Sequence, residues 1–267
     1  MITYEKVGHI GYVCLNRADK MNALNQDFWF GMAPIFEEIN GDMDVRVVVL
    51  SAKGKAFSVG LDFFDMLPRL GLGQAGPDGE RQRQLHQLIR DMQWAVTCVE
   101  RCRVPVIAAI QGYCLGGAVD LITACDIRLA SADAIFSVRE PKVGIVADIG
   151  TLQRLPRVVG SGVARELIFT GQDIDATFAE KIGLVNRVSD DLESCLDDAR
   201  RTAEAIAKNA PLAVQGSKRV LIESEKGQID RELEYVATWN AAHLLSQDLA
   251  AAIDSFARRT EPDFKGR

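Results

Sequence analysis

Histidine is scarce in this chain of 267 residues, with three in all, and its six cysteines form no Cys-x-x-Cys pair. A structural zinc site wants Cys and His clustered at ligand spacing. His9, His86 and His243 are scattered, and Cys14, Cys98, Cys102, Cys114, Cys125 and Cys195 sit mostly inside apolar runs. No metal is expected, and the thiols read as buried and reduced. Also missing is any run of about eighteen apolar residues, so no membrane-spanning helix is expected. The opening MITYEKVGHIGYV has neither the basic start of a signal peptide nor the Arg/Ser-rich character of a transit peptide. The closing PDFKGR carries no peroxisomal or retention tripeptide, which leaves the cytoplasm as the expected compartment. An excess of basic charge is absent too: the net charge is −6. Nonspecific nucleic-acid affinity rests on clustered Lys and Arg, so no nucleic-acid partner is expected.

What is present is apolar material, 48% of the residues, enough for a large core. The first half alternates β-rich runs with helical patterns: Ile10–Leu15, Val45–Ser51, Val104–Gln111 and Asp126–Ala130 read as strands. Between them Asn25–Ile39 and Arg81–Cys102 read as helices, and another helix begins near Leu115. That alternation predicts an α/β fold. Gly71–Gly79 reads as a loop. Beyond Arg157 the pattern turns helical, over Gly162–Phe169, Ala176–Ile182, Leu192–Lys208, Leu212–Ser224 and Glu232–Arg258. Helices with apolar faces need the core or another subunit to cover them.

Two segments share a logic. VVVLSAKGKAFSVGLD at 47–62 and VPVIAAIQGYCLGGAVD at 104–120 each run from an apolar strand through a turn to a Gly-containing step and then an Asp. Side by side, such units could aim two backbone N–H groups at one point. Gly116 and Gly117 permit close backbone approach to a ligand at a helix start, with Asp120 in the first turns. Asp120 also reads more plainly as a surface Asp at a helix N-terminus. Glu140 and Asp148 come next, beside or within apolar segments, where carboxylates seldom sit without a partner or a task. Their plainer readings are a salt bridge of Glu140 with Arg139 or Lys142, and an N-cap at Asp148 for a helix starting at Ile149.

FSVGLD at 57–62, the run from Val104 through GYCLGGAVDLITACDI, and REPKVGIVADIGTLQRLPRVVG together resemble the crotonase (enoyl-CoA hydratase/isomerase) superfamily over essentially the whole chain, most closely its dienoyl-CoA isomerases. The resemblance implies a spiral of ββα units over about 1–200, holding the active site, and a helical trimerisation region over 201–267. It implies a homotrimer or a dimer of trimers acting on an acyl-CoA thioester, with no cofactor beyond the coenzyme A of the substrate. It maps the two oxyanion-hole N–H groups onto Val59 and Gly117. It places Ala56, Phe57, Ser58, Val59, Gly60, Leu61 and Asp62, with Gly116 and Gly117, along the thioester and pantetheine path, and Phe256 and Arg259 at the nucleotide end. Asp120, Glu140 and Asp148 match the carboxylate triad of the isomerases, whereas family hydratases carry Glu at the first two positions and typically Gly at the third. The implied chemistry moves a proton from C2 of a 3,5-dienoyl thioester to C6, with Glu140 at C2 and Asp148 at C6, although the reverse assignment stays open. Asp120 tunes both by charge. Two other readings stand beside this: an enoyl-CoA hydratase, and a noncatalytic or RNA-binding protein on the same scaffold.

Overall fold

The computed structural model describes residues 2–70 and 78–266. Two sheets carry the molecule. β1 (Ile2–Val7) and β2 (Ile10–Leu15) form an antiparallel hairpin, and β3 (Val47–Ala52), β5 (Val106–Ile110), β7 (Ile127–Ser131) and β10 (Arg187–Ser189) extend it as parallel neighbours in the order β1-β2-β3-β5-β7-β10. The second sheet holds short strands in the order β4 (Ala56–Ser58), β6 (Tyr113–Leu115), β8 (Ile135–Ser137) and β9 (Ile174–Asp175). Each of three successive turns therefore gives one strand to each sheet, and helices close the spiral. These are α1 (Gln26–Gly41), α2 (Phe63–Leu70), α3 (Asp78–Glu100), α4 (Gly117–Thr123), α5 (Thr151–Val159), α6 (Ser161–Thr170), α7 (Ala176–Lys181), α8 (Leu192–Ala207), α9 (Pro211–His243) and α10 (Gln247–Arg258).

The central strands are apolar on both faces because both faces are covered. Val48 and Leu50 join the main core, while Val47 and Val49 point the other way, with Ile107 and Leu129, onto Cys195, Ala199, Ala203 and Ala207 of α8. Those four residues recur every fourth position and make one small-residue stripe. The stripe lets α8 lie close on the sheet. Ala199→Leu should therefore overpack this layer and cost about 1–3 kcal/mol, read as a lower Tm in thermal unfolding.

Three sequence expectations change here. The helix near Leu115 starts at Gly117, since Leu115 ends β6. The two terminal helices are divided differently: α9 runs unbroken for 33 residues through the polar stretch around Gly227, and the break comes at Ser246, whose hydroxyl accepts the Leu249 N–H and starts α10. Residue 200, the expected limit of the core, falls inside α8. Of the Gly71–Gly79 loop, residues 71–77 lie outside the described residues, and Asp78 and Gly79 open α3.

Candidate active site

β4, β6 and β8 are adjacent and parallel, so the chain leaves all three at the same end. The three exits deliver Val59–Leu61, Gly116–Gly117 and Glu140 to that end. This is how segments far apart in sequence come to share one pocket. The approach is close: a Cβ on Gly60, at φ +85, would sit 2.7 Å from the Leu115 carbonyl oxygen and 3.4 Å from Gly117 N. Gly116, at φ +54, leaves room for Glu140, whose Oε1 would be 3.3 Å from an added Cβ. A second bond stitches the bundle, from Gly116 N–H to the Ser137 carbonyl at 2.9 Å.

The backbone donors differ from the expected pair. Val59 N–H is spent on the Met21 carbonyl at 3.2 Å, and Gly60 N–H on Ser58 Oγ at 3.1 Å. Leu61 N–H and Gly117 N–H have no acceptor among the described residues. Leu61 thus replaces Val59 as the free donor on this loop. The reason is Asn22, fully buried, whose side-chain amide nitrogen donates to the Lys53 and Ala56 carbonyls while its main-chain carbonyl accepts the Ser58 hydroxyl at 2.8 Å. That bracket locks 53–59 and exposes 61. Nothing in the local sequence marks Asn22 for the task.

The other expected contacts divide. Side chains of Ala56, Phe57 and Ser58 are fully buried, with Phe57 in the main core, so they support the loop instead of lining a path. Asp62 accepts a charged bond from Arg17 at 2.6 Å and caps the start of α2 through Asp65 N–H. Phe256 is 72% exposed, with its ring 6.3 Å from that of Phe64, and Arg259 closes α10 in a left-handed conformation.

The three carboxylates come together. Asp120 is fully buried, so it is no surface helix-start residue; its Oδ1 accepts the Thr151 N–H at 2.5 Å and its Oδ2 has no partner. Glu140 Oε2 is likewise buried without a partner. Its expected neighbour Arg139 pairs with Asp173 instead. Asp148 does not cap a helix, since α5 begins at Thr151; its Oδ2 accepts from Asn240 at 2.7 Å. Arg154, 2% exposed and tied to Glu100 at 2.8 Å, braces this turn. Buried carboxylate oxygens without hydrogen bonds are costly, and two close together mark this as a candidate functional site.

Burial pushes all three proton affinities up. For Asp120 the Thr151 hydrogen bond and the Arg154 charge pull back against it. For Glu140 the charge of Asp120, then that of Asp148, adds to burial. Asp148 is pushed up to about 7 by burial, opposed by the Asn240 hydrogen bond and raised again by Asp120. Asp148 therefore favours the folded state most when it is protonated. Its contribution to stability is whole below about pH 4 and is lost as the pH climbs to about 7. Asp148→Asn keeps an oxygen for Asn240 but no charge. Relative to the parent it should gain stability between those pH values and hold the gain above them, by about 2–3 kcal/mol after allowing for solvent. Urea unfolding of both proteins at pH 4.5 and pH 8 reads this.

A model of the enoyl-CoA hydratase/isomerase family matches residues 5–267 of the chain. The chain belongs to that family. A relative named Delta(3,5)-Delta(2,4)-dienoyl-CoA isomerase, mitochondrial, from Dictyostelium discoideum is 41% identical over 96% of this chain and 87% of its own. A peroxisomal enzyme of the same name from Arabidopsis thaliana is 41% identical over 95% and 91%. The crystal structure of an enoyl-CoA hydratase/isomerase from Xanthobacter autotrophicus Py2 superposes with a TM-score of 0.85 at 31% identity, covering 96% of this chain and 93% of the other. The spiral of paired strands is thus the fold of this enoyl-CoA hydratase/isomerase family, as the sequence resemblance implied. No described helix is long and apolar enough to cross a membrane, and among the described residues no group of His, Cys, Asp and Glu could hold a metal ion.

Proposed function

We propose that the chain is a dienoyl-CoA isomerase, converting a 3,5-dienoyl-CoA into the 2,4-dienoyl-CoA. The observation that carries this is the third carboxylate: Asp148 lies close enough to Asp120 and Glu140 for their charges to act on one another, its proton affinity raised into the range where a group both takes and gives a proton near neutral pH. A hydratase needs carboxylates only around one water. Moving a proton between C2 and C6 needs two, set apart along the acyl chain.

In this reading the thioester carbonyl lies between the Leu61 and Gly117 N–H groups, which stabilise charge that builds up on oxygen only as C2 loses its proton. Glu140 takes the C2 proton. The electron pair spreads over the diene, and protonated Asp148 delivers its proton to C6, leaving double bonds at C2 and C4. Asp120, fully buried, touches no substrate; its charge keeps Glu140 and Asp148 from both ionising. The scheme balances with protons alone, so no cofactor is proposed beyond the coenzyme A of the substrate. Phe256 and Arg259, exposed at the end of α10, are assigned to its nucleotide end.

The proposed assembly is a homotrimer or a dimer of trimers. Leu212, Val220 and Leu221, each at least 71% exposed on α9, support a partner subunit over that face. Cytoplasmic residence finds no support in the two relatives, which are named for the mitochondrion and the peroxisome. The deciding experiment tracks the absorbance of the conjugated 2,4-dienoyl thioester from 3,5-dienoyl-CoA, beside hydration of a 2-enoyl-CoA. Fast isomerisation with feeble hydration is expected. Fast hydration without isomerisation would replace this reading by the hydratase.

A further inference from the structure

Asp148 is gripped by two primary amides from helices far away in sequence. Asn240 of α9 is 2% exposed, and its amide nitrogen donates to Asp148 Oδ2 and to the Val146 carbonyl, both at 2.7 Å. Gln93 of α3, also 2% exposed, donates its Nε2 to the Asp148 carbonyl at 2.7 Å and to the Leu233 carbonyl at 3.0 Å. Both amide nitrogens face acceptors, and Gln93 Oε1 accepts from the Arg90 guanidinium at 2.8 Å, which fixes the Gln93 nitrogen inward. They hold different things. Gln93 holds backbone, while Asn240 holds the carboxylate itself. The carboxylate's other oxygen, Oδ1, has no partner among the described residues.

We infer that Asn240 is the positioning residue of Asp148: tying down Oδ2, it favours the charged carboxylate and leaves Oδ1 as the oxygen that exchanges a proton with the acyl chain. The inference rests on the isomerase reading for the identity of that proton. A donor N–H stabilises the ionised form over the neutral one, and a bond to a charged partner is stronger than one between neutral groups. Asn240 thereby opposes burial, so that Asp148 can give up the proton it delivers to the acyl chain. The charged groups facing Asp148 are Asp120 of α4, Glu140 after β8, and Arg154 of α5, whose guanidinium reaches the neighbouring Ile149 carbonyl and is paired to Glu100 of α3. The two acids act against ionisation, and the Arg154 charge is already shared with Glu100. The direct donor to the carboxylate is Asn240.

The test compares full-length Asn240→Leu, Asn240→Ser and Gln93→Leu with the parent in kcat-against-pH profiles, all four first shown to unfold cooperatively. In Asn240→Leu and Asn240→Ser the limb belonging to Asp148 should move up by about one to two pH units, the worth of one charge-assisted hydrogen bond. In Gln93→Leu kcat should fall with the limb in place, because only backbone support is lost. A limb that stays put in both Asn240 variants, or that moves equally in Gln93→Leu, overturns the inference. Infrared titration of the protonated carboxyl band in ligand-free protein, assigned by its loss in Asp148→Asn, reads the same shift without substrate. A parent that isomerises nothing yet shows the infrared shift in the Asn240 variants would sink the isomerase reading and leave the positioning role intact.

Discussion

Asp148→Asn should cut isomerisation about a thousandfold while exchange of the C2 hydrogens with solvent deuterium continues, since general acid–base groups typically contribute 10²–10⁴. Glu140→Gln should lose both. The contrast reflects the division of labour: if Glu140 alone works at C2, the enolate still forms and collapses back when C6 cannot be protonated. The measurement is mass spectrometry of recovered 3,5-dienoyl-CoA after incubation in deuterium oxide, alongside the absorbance assay. Loss of exchange in Asp148→Asn with its retention in Glu140→Gln would reverse the two roles and leave the shuttle standing. Isomerisation at the parent rate in Asp148→Asn would remove the shuttle altogether. Asp120→Asn should behave differently from either. With the nearest negative charge gone, Glu140 loses the largest influence after burial that raises its proton affinity, so activity should persist with its pH profile moved downward.

The second large effect is expected at Gly60. An Ala there must keep φ +85 and place its Cβ 2.7 Å from the Leu115 carbonyl oxygen, a contact real Cβ atoms essentially never show. The loops after β4 and β6 must move apart. Because Leu61 N–H and Gly117 N–H lie on these two loops, the proposed oxyanion site opens with them. Losing one donor in such a site typically costs about 100-fold or more in kcat, and Gly60→Ala should cost at least that. Unfolding that stays cooperative at a lower Tm, with a depressed kcat and a smaller change in KM, is the expected pattern, since the lost contacts strengthen in the transition state. Unchanged kcat would mean that Leu61 is not a donor to the reacting oxygen.

How much of this was legible in the residues depends on how locally each signal is encoded. Asp120 and Asp148 stand among apolar neighbours and Glu140 between a strand and a Pro, but each had a plainer reading of its own, and it was the family resemblance that joined the three. The repeated strand–turn–Gly segments pointed to two loops meeting at one point. The strands β3, β5 and β7 were visible as apolar runs, within two residues at their ends. The choice between Val59 and Leu61 was not visible. It turns on which N–H the Met21 carbonyl takes, and on the bracket made by Asn22, both set by a loop more than 30 residues earlier. Asn240 and Gln93 were silent for the same reason: an amide on a helix face reads as solvated until the fold lays a carboxylate against it. The unbroken α9 was hidden by its polar middle, where no apolar stripe announces a helix.

The bond between Asn240 and Asp148 spans 92 residues of sequence and is made by the penultimate helix. On the ribosome, all three carboxylates and the two proposed oxyanion donors emerge well before Asn240, the residue bonded to the last of them. The donor to Asp148 is thus in place only once α9 has been made and has docked. A chain ending before residue 240 lacks both that donor and the core contacts of Leu244 and Leu249.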